Sequence, residues 1–520
     1  MKEDSKKFYI TSPLYYVNDV PHIGSAYTTI ACDCMARYKR LQGYDVCFLT
    51  GVDEHGQKIF KSAREQNVSP QEHCDKISLK FQELWKLLNI EYDRFSRTTS
   101  KSHELIVQEF FNLVFKNKDI YEADYEGLYC EACEDFKLEK DLTDEKHCPI
   151  HKLKVQEYKE KNYFFALSKY ETKLKEYLDK NPDFIQPSYR RNEVLGWIKE
   201  GLKDFPISRQ TVSWGIPIPN DPKQTIYVWF DALLGYLSGL LTEGESPNLS
   251  TATKNYWPCS VHVIGKDILR FHAVYWPCML MSAGLPLPKK VFGHGFLTKD
   301  GEKMGKTTGN IIDPYELINE FGTDAVRFYF LREISFGKDG DFSRESFLSR
   351  INSDLANNLG NLLNRSLNLV NKNFNGKVDL PKSEDFLGLK EKTIQTIENF
   401  KNHMDNLSLK EALDEVWHLV DSTNKAFNDK APWKLLKNNE FEKAQCCLYE
   451  TLEILRNISI LVNPFIPETS LKIYNQIGYD KLNGRNEWEK VGWKKLQDSF
   501  KVEEGKPIFP RFDQKKQSIS

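Results

Sequence analysis

The segment that most constrains this chain lies near its start. The apolar run Phe8 to Ile10 leads into Pro21-His22-Ile23-Gly24-Ser25, which opens a stretch with residues at helical spacing: Ile23, Tyr27, Ile30, Cys34, Tyr38 and Leu41. This change of period predicts a strand that runs into a helix at His22. The first turn of a helix offers unpaired backbone N–H groups and the positive end of its dipole, and a histidine beside a glycine that permits close approach suits a polyphosphate there. The other half of such a site lies far along the chain in Gly301 to Asn310, where Lys303 and Lys306 fall in a glycine-flanked loop able to close over the same phosphates.

A chain of 520 residues exceeds what one core serves, so two to four domains are expected. The formal net charge of −2 shows no overall basic excess, so any RNA contact must come from local groups and shape rather than bulk attraction. Met1 to Lys7 is charged, and no run of about eighteen apolar residues occurs; a cytoplasmic protein with no membrane contact is expected. Eleven cysteines, an odd number scattered over a long chain, fit a reducing compartment better than a disulfide framework.

Strand-like runs at Phe8 to Ile10, Val46 to Leu49, Tyr227 to Phe230, Val261 to Ile264 and Val291 to Phe292 alternate with helical patterns. The fold class this implies is α/β, a doubly wound, Rossmann-like parallel sheet. Ligands of such sheets sit beyond the carboxyl ends of the strands, where Asp53-Glu54-His55-Gly56 and Gly265-Lys266-Asp267 fall. Between about Lys118 and Thr225 the alternation breaks into a cysteine-bearing stretch, a lysine-rich helix at Glu171 to Asp179 and proline-rich turns, which reads as an insertion between sheet halves. After about Phe342 the texture becomes helical with no strand signal, as in Leu355, Leu359, Leu362, Ser366 and Leu369, or Leu448, Leu452, Leu455 and Ile458, and an all-α bundle is expected to close the chain. The division is thus 1–117 for the first sheet half, 118–225 for the insertion, 226–295 for the second sheet half, 296–342 for a linker with the lysine loop, and 343–520 for the bundle.

Within the insertion, Cys130-x-x-Cys133 is followed, after fourteen intervening residues, by Cys148-x-x-His151. Three thiolates and an imidazole in two short pairs match a closed tetrahedral zinc site; three unrelated buried cysteines and a surface histidine are the plainer alternative. With no ligand position left for water, such a zinc is structural, and its binding is worth on the order of 10 kcal/mol in small zinc modules.

Together these pieces closely resemble a bacterial-type methionyl-tRNA synthetase with a single zinc knuckle, over nearly the whole length. The resemblance rests on Tyr9-Ile10-Thr11-Ser12-Pro13-Leu14-Tyr15-Tyr16, His22-Ile23-Gly24-Ser25, Gly51 to Gly56, the knuckle, Tyr227-Val228-Trp229-Phe230-Asp231-Ala232, Gly265-Lys266-Asp267, Lys303-Met304-Gly305-Lys306-Thr307 and Ala431-Pro432-Trp433, in the family's order. Two positions depart from its pattern: Ser25 stands where class I synthetases carry a second signature histidine, and Gly305 replaces the serine of the lysine loop. Each change removes a donor near the phosphates, so slower ATP activation is expected.

The resemblance implies activation of L-methionine with ATP and Mg2+, transfer of the methionyl group to the terminal adenosine of tRNA(Met), and one structural Zn2+. It assigns catalysis to His22, Lys303, Lys306 and Arg209, and ATP binding to His22, Gly24, Ser25, Gly265, Asp267 and Lys306. Asp53 would pair with the methionine ammonium, with Leu14, Tyr16, Trp229, Ala232, Tyr236, Ile268, Phe271 and His272 around the side chain. Leu233 stands where some relatives carry proline. Asn361 and Arg365, an i, i+4 pair, and Trp433 would read the anticodon. Without the resemblance, His22 and Asp267 read as helix caps, Arg209 as a surface ion pair, the pocket aromatics and Trp433 as core, and Asn361 with Arg365 as a solvated face. A non-catalytic, synthetase-derived RNA-binding protein is the competing reading. The chain ends without the appended domain of some relatives, so a monomer is expected.

Overall fold

The computed structural model describes residues 6–512 apart from 131–134, 138, 140–141, 144–145, 150–151, 305–309, 382–384, 480–481 and 495–498. Cys133, His151 and Lys306 lie outside the described residues.

The first part of the chain is built on a six-stranded parallel sheet. Lys7–Tyr16 is central, flanked on one side by Asp45–Asp53 and then Arg94–Arg97, and on the other by Val261–Gly265, Val291–His294 and the short edge strand Ile185–Gln186. Side chains alternate between two cores, as strand geometry requires: Ile10, Phe48, Val263 and Phe292 face one, and Tyr9, Cys47, Ile264 and Val291 the other. Both faces are covered, so the parallel strands read as continuous apolar runs.

Chain order reverses between Lys7–Tyr16 and Val261–Gly265, which opens a crevice at their carboxyl ends. The edge strand Ile185–Gln186 comes from within the window read as insertion and pairs with Val291 and Phe292. The rest of that window is dominated by a long antiparallel hairpin, Ile120–Cys130 with Gln156–Phe165, whose tip carries the cysteine motif. The lysine-rich segment is helical over Glu171–Lys180.

Two readings from residue pattern are corrected. Tyr227 to Phe230, taken as a strand, is a turn into the helix Val228–Ala232: the amides of Phe230 and Asp231 both donate to the Tyr227 carbonyl, at 2.9 and 3.0 Å. Its apolar residues are buried on several sides, so the run carries no period to reveal the helix. The helical region also holds a two-stranded ladder, Lys377–Asp379 with Ser499–Lys501, whose strands are too short to leave a periodic signal.

The bundle packs directly on the sheet-bearing part, and one apolar cluster runs without a break from Ile10 and Phe48 to Leu355, Val416 and Leu455. Where they meet, Arg327 on the helix Thr323–Glu333 is wholly buried. It donates to Asp33 Oδ2 at 2.7 Å, to the carbonyls of Phe465 and Pro464 at 2.9 and 3.0 Å, and to that of Leu88 at 3.1 Å. Asp33, on the helix Ile23–Leu41, also accepts from Arg37 and from the Glu91 amide. Burial alone would raise its pKa, but the two arginines outweigh that and hold it below the usual carboxylate value.

Removing one partner of a buried pair leaves an uncompensated charge. Arg327→Met is therefore expected to destabilise the chain by about 3–5 kcal/mol, read as a lowered urea midpoint. A loss below about 1 kcal/mol, the level of an exposed ion pair, would contradict this account.

Candidate functional site

His22 caps the helix Ile23–Leu41. Its Nδ1 accepts from the Gly24 amide at 3.0 Å, which leaves the imidazole proton on Nε2, and the side chain stands exposed at the helix start. A Cβ on Gly24 would lie 2.9 Å from His22 Cε1, so glycine is required for this ring position. Ser25 completes the cap: its hydroxyl donates to the His22 carbonyl at 2.7 Å and accepts from the His22 amide at 3.1 Å. That hydroxyl proton is therefore used within the helix start.

Across the switch point, Gly265 ends its strand and Asp267 is exposed just beyond it. Asp267 folds back over Gly265, where a Cβ would meet its Oδ1 at 2.5 Å. Between them Lys266 is clamped by both oxygens of Asp339 at 2.7 Å. Asp339 also accepts from the Phe296 amide, so this strand end is tied to the linker.

In the linker, Glu302–Lys303 turns back on Leu297–Lys299 and places Lys303 opposite Thr298. The turn uses Asp300 and Gly301, both at positive φ, and the Gly301 amide donates to Asp341 Oδ1 at 2.8 Å. This hairpin leads straight into the lysine loop.

The aromatic residues assemble beside the crevice. Trp229 lies flat on Phe271, with ring centroids 3.7 Å apart and planes within 3°, and Tyr16 meets Trp229 edge-on at 6.3 Å. Tyr236 Oη is 2.7 Å from His272 Nε2, and His272 Nδ1 is 3.0 Å from the Ile268 carbonyl. Burial drives the His272 pKa down to about 4, so this ring is neutral at physiological pH. Leu14 packs on Gly235, where a Cβ would come within 2.3 Å of Leu14 Cδ1. Asp53, 3% exposed, sits in register with Tyr16 on the neighbouring strand, and Ala232 is buried on the helix that carries Trp229.

Arg209 enters from the strand Ser208–Arg209. It is buried, with its guanidinium 4.3 Å from the centre of the Tyr227 ring and 5.3 Å from that of Tyr129. It thus joins the hairpin to the segment that leads into the pocket helix, which an isolated surface ion pair would not do.

Sequence reasoning missed a buried ionic group behind the pocket. Asp231 accepts from His55 Nδ1 at 2.6 Å and from His103 Nε2 at 2.5 Å, and the Asp231 and His103 side chains are fully buried. Against the effect of burial, these imidazoles bring the Asp231 pKa down to about 2. His55 and Asp231 stood inside the motifs already singled out, but only their long-range pairing marks them as partners.

In the bundle, Arg365 donates to Asn428 Oδ1 at 2.7 Å and lies over the rings of Phe427 and Trp433, at 5.1 and 5.2 Å. Trp433 is 39% exposed, so it presents an open ring rather than a core one. Asn361 is exposed one turn before Arg365 on the helix Asn361–Phe374. A stacking ring, a guanidinium and an amide thus share one surface patch.

At the hairpin tip, Cys130 and Cys148 are buried in a small cluster with Val155, Leu128 and Leu142. Two thiols amid so few apolar residues fit a structural metal, because such a cluster is too small to hold its fold unaided. Among the described residues no set of three metal-binding side chains is complete.

Comparisons with known proteins agree with this geometry. The model of class I tRNA synthetases (M) matches residues 8–157 and 137–367, and that of the anticodon binding domain of methionyl tRNA ligase matches residues 381–517. The chain is 51% identical over 517 residues to the chloroplastic/mitochondrial methionine–tRNA ligase of Arabidopsis thaliana, covering 98% of this chain and 84% of that one. It is 50% identical to the methionine–tRNA ligase of Synechocystis sp., covering 97% and 98%. Its structure is similar to that of Mycobacterium tuberculosis methionyl-tRNA synthetase in complex with methionyl-adenylate, with a TM-score of 0.92, 39% identity, and coverage of 97% and 100%. With family models matching residues 8–367 and 381–517 and relatives about 50% identical along nearly its whole length, the chain belongs to the methionyl family of class I tRNA synthetases.

Proposed function

We propose that the crevice carries out both steps of methionine–tRNA ligation, and that the observation carrying this reading is the meeting of the His22-capped helix, the Gly265–Asp267 strand end and the Trp229–Phe271 pocket at one switch point. In the first step the methionine carboxylate attacks the α-phosphate of ATP and pyrophosphate leaves. In the second the acyl group passes to the 3′-terminal adenosine of tRNA(Met). Negative charge spreads over the phosphates in the first transition state, so fixed donors and cations supply most of the acceleration. Nε2–H of His22 and the helix start face that charge from one side, Lys303 and Lys306 close on it from the other, and Asp267 takes the ribose. ATP enters with Mg2+, which neutralises part of its charge.

Asp53 pairs with the methionine ammonium, Arg209 with the reacting carboxylate, and the thioether lies against Trp229, Phe271, Tyr236 and His272, with Leu14, Tyr16, Ala232 and Ile268 filling out the pocket. Sulfur at aromatic edges gains about 1 kcal/mol, and the neutral His272–Tyr236 pair adds polarity without a charge. Ser25, committed to the helix cap, adds no donor to the phosphates. Asn361, Arg365 and Trp433 hold the anticodon bases by hydrogen bonding and stacking.

Cys130, Cys133, Cys148 and His151 hold one structural Zn2+, which supplies the cohesion that the small cluster around them lacks. All these groups come from a single chain, so a monomer is a complete enzyme. No described helix is long and apolar enough to cross a membrane; eleven cysteines spread through the chain suit the reducing cytoplasm.

Methionine-dependent exchange of labelled pyrophosphate into ATP tests the reading directly; a chain that only bound RNA would show none. Gly24→Ala displaces the His22 ring and is expected to lower the exchange kcat by about 100-fold, the scale of an ångström-sized misplacement. Exchange unchanged in that variant would remove His22 from the mechanism. Trp433→Ala should reduce kcat/KM for tRNA charging by about 10- to 100-fold while exchange stays intact; equal loss in both assays would point to damaged folding. Elemental analysis is expected to find one zinc per chain, and Cys130→Ser to lose it with a lower Tm. Full zinc content in Cys130→Ser would refute the ligand set.

A further inference from the structure

The methionine pocket of the preceding reading, on which this inference rests, has two walls on separate pieces of chain. Asp53 ends one strand, and Trp229 and Ala232 stand on the five-residue helix Val228–Ala232. So short a helix has almost no stability of its own, and this one has no side-chain cap. Something outside it must hold Trp229 at a set distance from Asp53.

Asp231, between Trp229 and Ala232, meets that need. Both its oxygens are engaged by imidazole nitrogens, from His55 Nδ1 at 2.6 Å and His103 Nε2 at 2.5 Å, so each histidine carries its proton on the nitrogen facing the carboxylate. Short charge-assisted bonds of this kind resist displacement more than neutral ones. The two histidines lead to different places. His55 is two residues beyond Asp53, its amide 3.5 Å from Asp53 Oδ1. Its segment is gripped by Trp214, whose ring meets His55 edge-on at 5.8 Å, whose Nε1 donates to the Glu54 carbonyl at 2.6 Å, and whose carbonyl accepts from the Gly56 amide. His103 leads to Ser238 Oγ at 2.7 Å, at the end of the helix Gly235–Ser238 that carries Tyr236, and to the helix Lys101–Lys116 on which it stands.

We propose that Asp231 is a positioning residue for methionine: through His55 it sets the separation between the Asp53 carboxylate and the Trp229 wall, and through His103 it is tied less directly to the short helix that carries Tyr236. The side chain touches no substrate. Its removal therefore acts on the fit of methionine and leaves ATP unaffected.

The test uses the full chain in pyrophosphate exchange, with methionine and ATP varied separately and thermal unfolding followed in parallel. Asp231→Asn keeps the shape but can accept only one N–H well, and is expected to raise the methionine KM about tenfold, with the ATP KM within about twofold of the parent. His55→Gln should reproduce that split. His103→Gln, further removed from Asp53 and acting on the Tyr236 side, should lower Tm and raise the methionine KM by less than His55→Gln does. A fall in kcat alone in Asp231→Asn and His55→Gln, with methionine KM unchanged, would make the group merely structural and overturn the inference, as would equal methionine KM shifts in His55→Gln and His103→Gln. If Asp231→Asn does not fold, the contrast between the two histidine variants decides. Absence of exchange in the parent chain would instead refute the functional reading, and this inference with it.

Discussion

The placement of the sheet relative to the helical bundle depends on one buried ion pair, Arg327 with Asp33. An isolated guanidinium in an apolar interior is far too costly to keep, so the chain must deliver partners to every side of it. It does so from three segments: the helix Ile23–Leu41, the turn at Leu88 and the Pro464–Phe465 loop. Hydrophobic burial joins the two halves but is indifferent to small sliding movements; the fork of a guanidinium is not. Because Asp33 lies on the helix that His22 caps, the same pair orients the start of that helix and the bundle that carries Trp433.

A similar device recurs at smaller scale behind the pocket. Asp231, His55 and His103 put a charge where apolar side chains would have packed as well, and the return is a fixed geometry between strand end and short helix. The pocket proper is apolar and aromatic, with a neutral His272 pinned from both ring nitrogens. Glycine appears where backbone or ring must come close: at Gly24 under His22, at Gly235 against Leu14, and at Gly265 beneath Asp267.

Much of this was legible in the sequence, because a strand that turns into a helix with a histidine at the turn is a local event. The strands around Ile10, Phe48, Val263 and Phe292 could be read from their apolar runs, and the bundle from its period. Tyr227 to Phe230 could not, since a residue buried on every side looks alike in a strand and in a short helix. Ile185–Gln186 and the Lys377–Asp379 ladder are too short to carry a period, and they exist only because a distant strand offers them hydrogen bonds. The resemblance assigned Ser25 to ATP binding; its place in a helix cap emerged only with the backbone around it.

The sequence by itself determined the doubly wound sheet, the order of its motifs, the family they resemble and the residue types that could bind a nucleotide, since these follow from short-range periodicity, turn chemistry and spacing. Tertiary structure alone decided which of those residues meet. Arg327 finds Asp33 across 294 positions, and Asp231 finds His55 across 176. Nothing in the local pattern of either partner encodes such a distance. The choice is made by the packing of whole elements, where a buried charge is tolerated only beside its opposite.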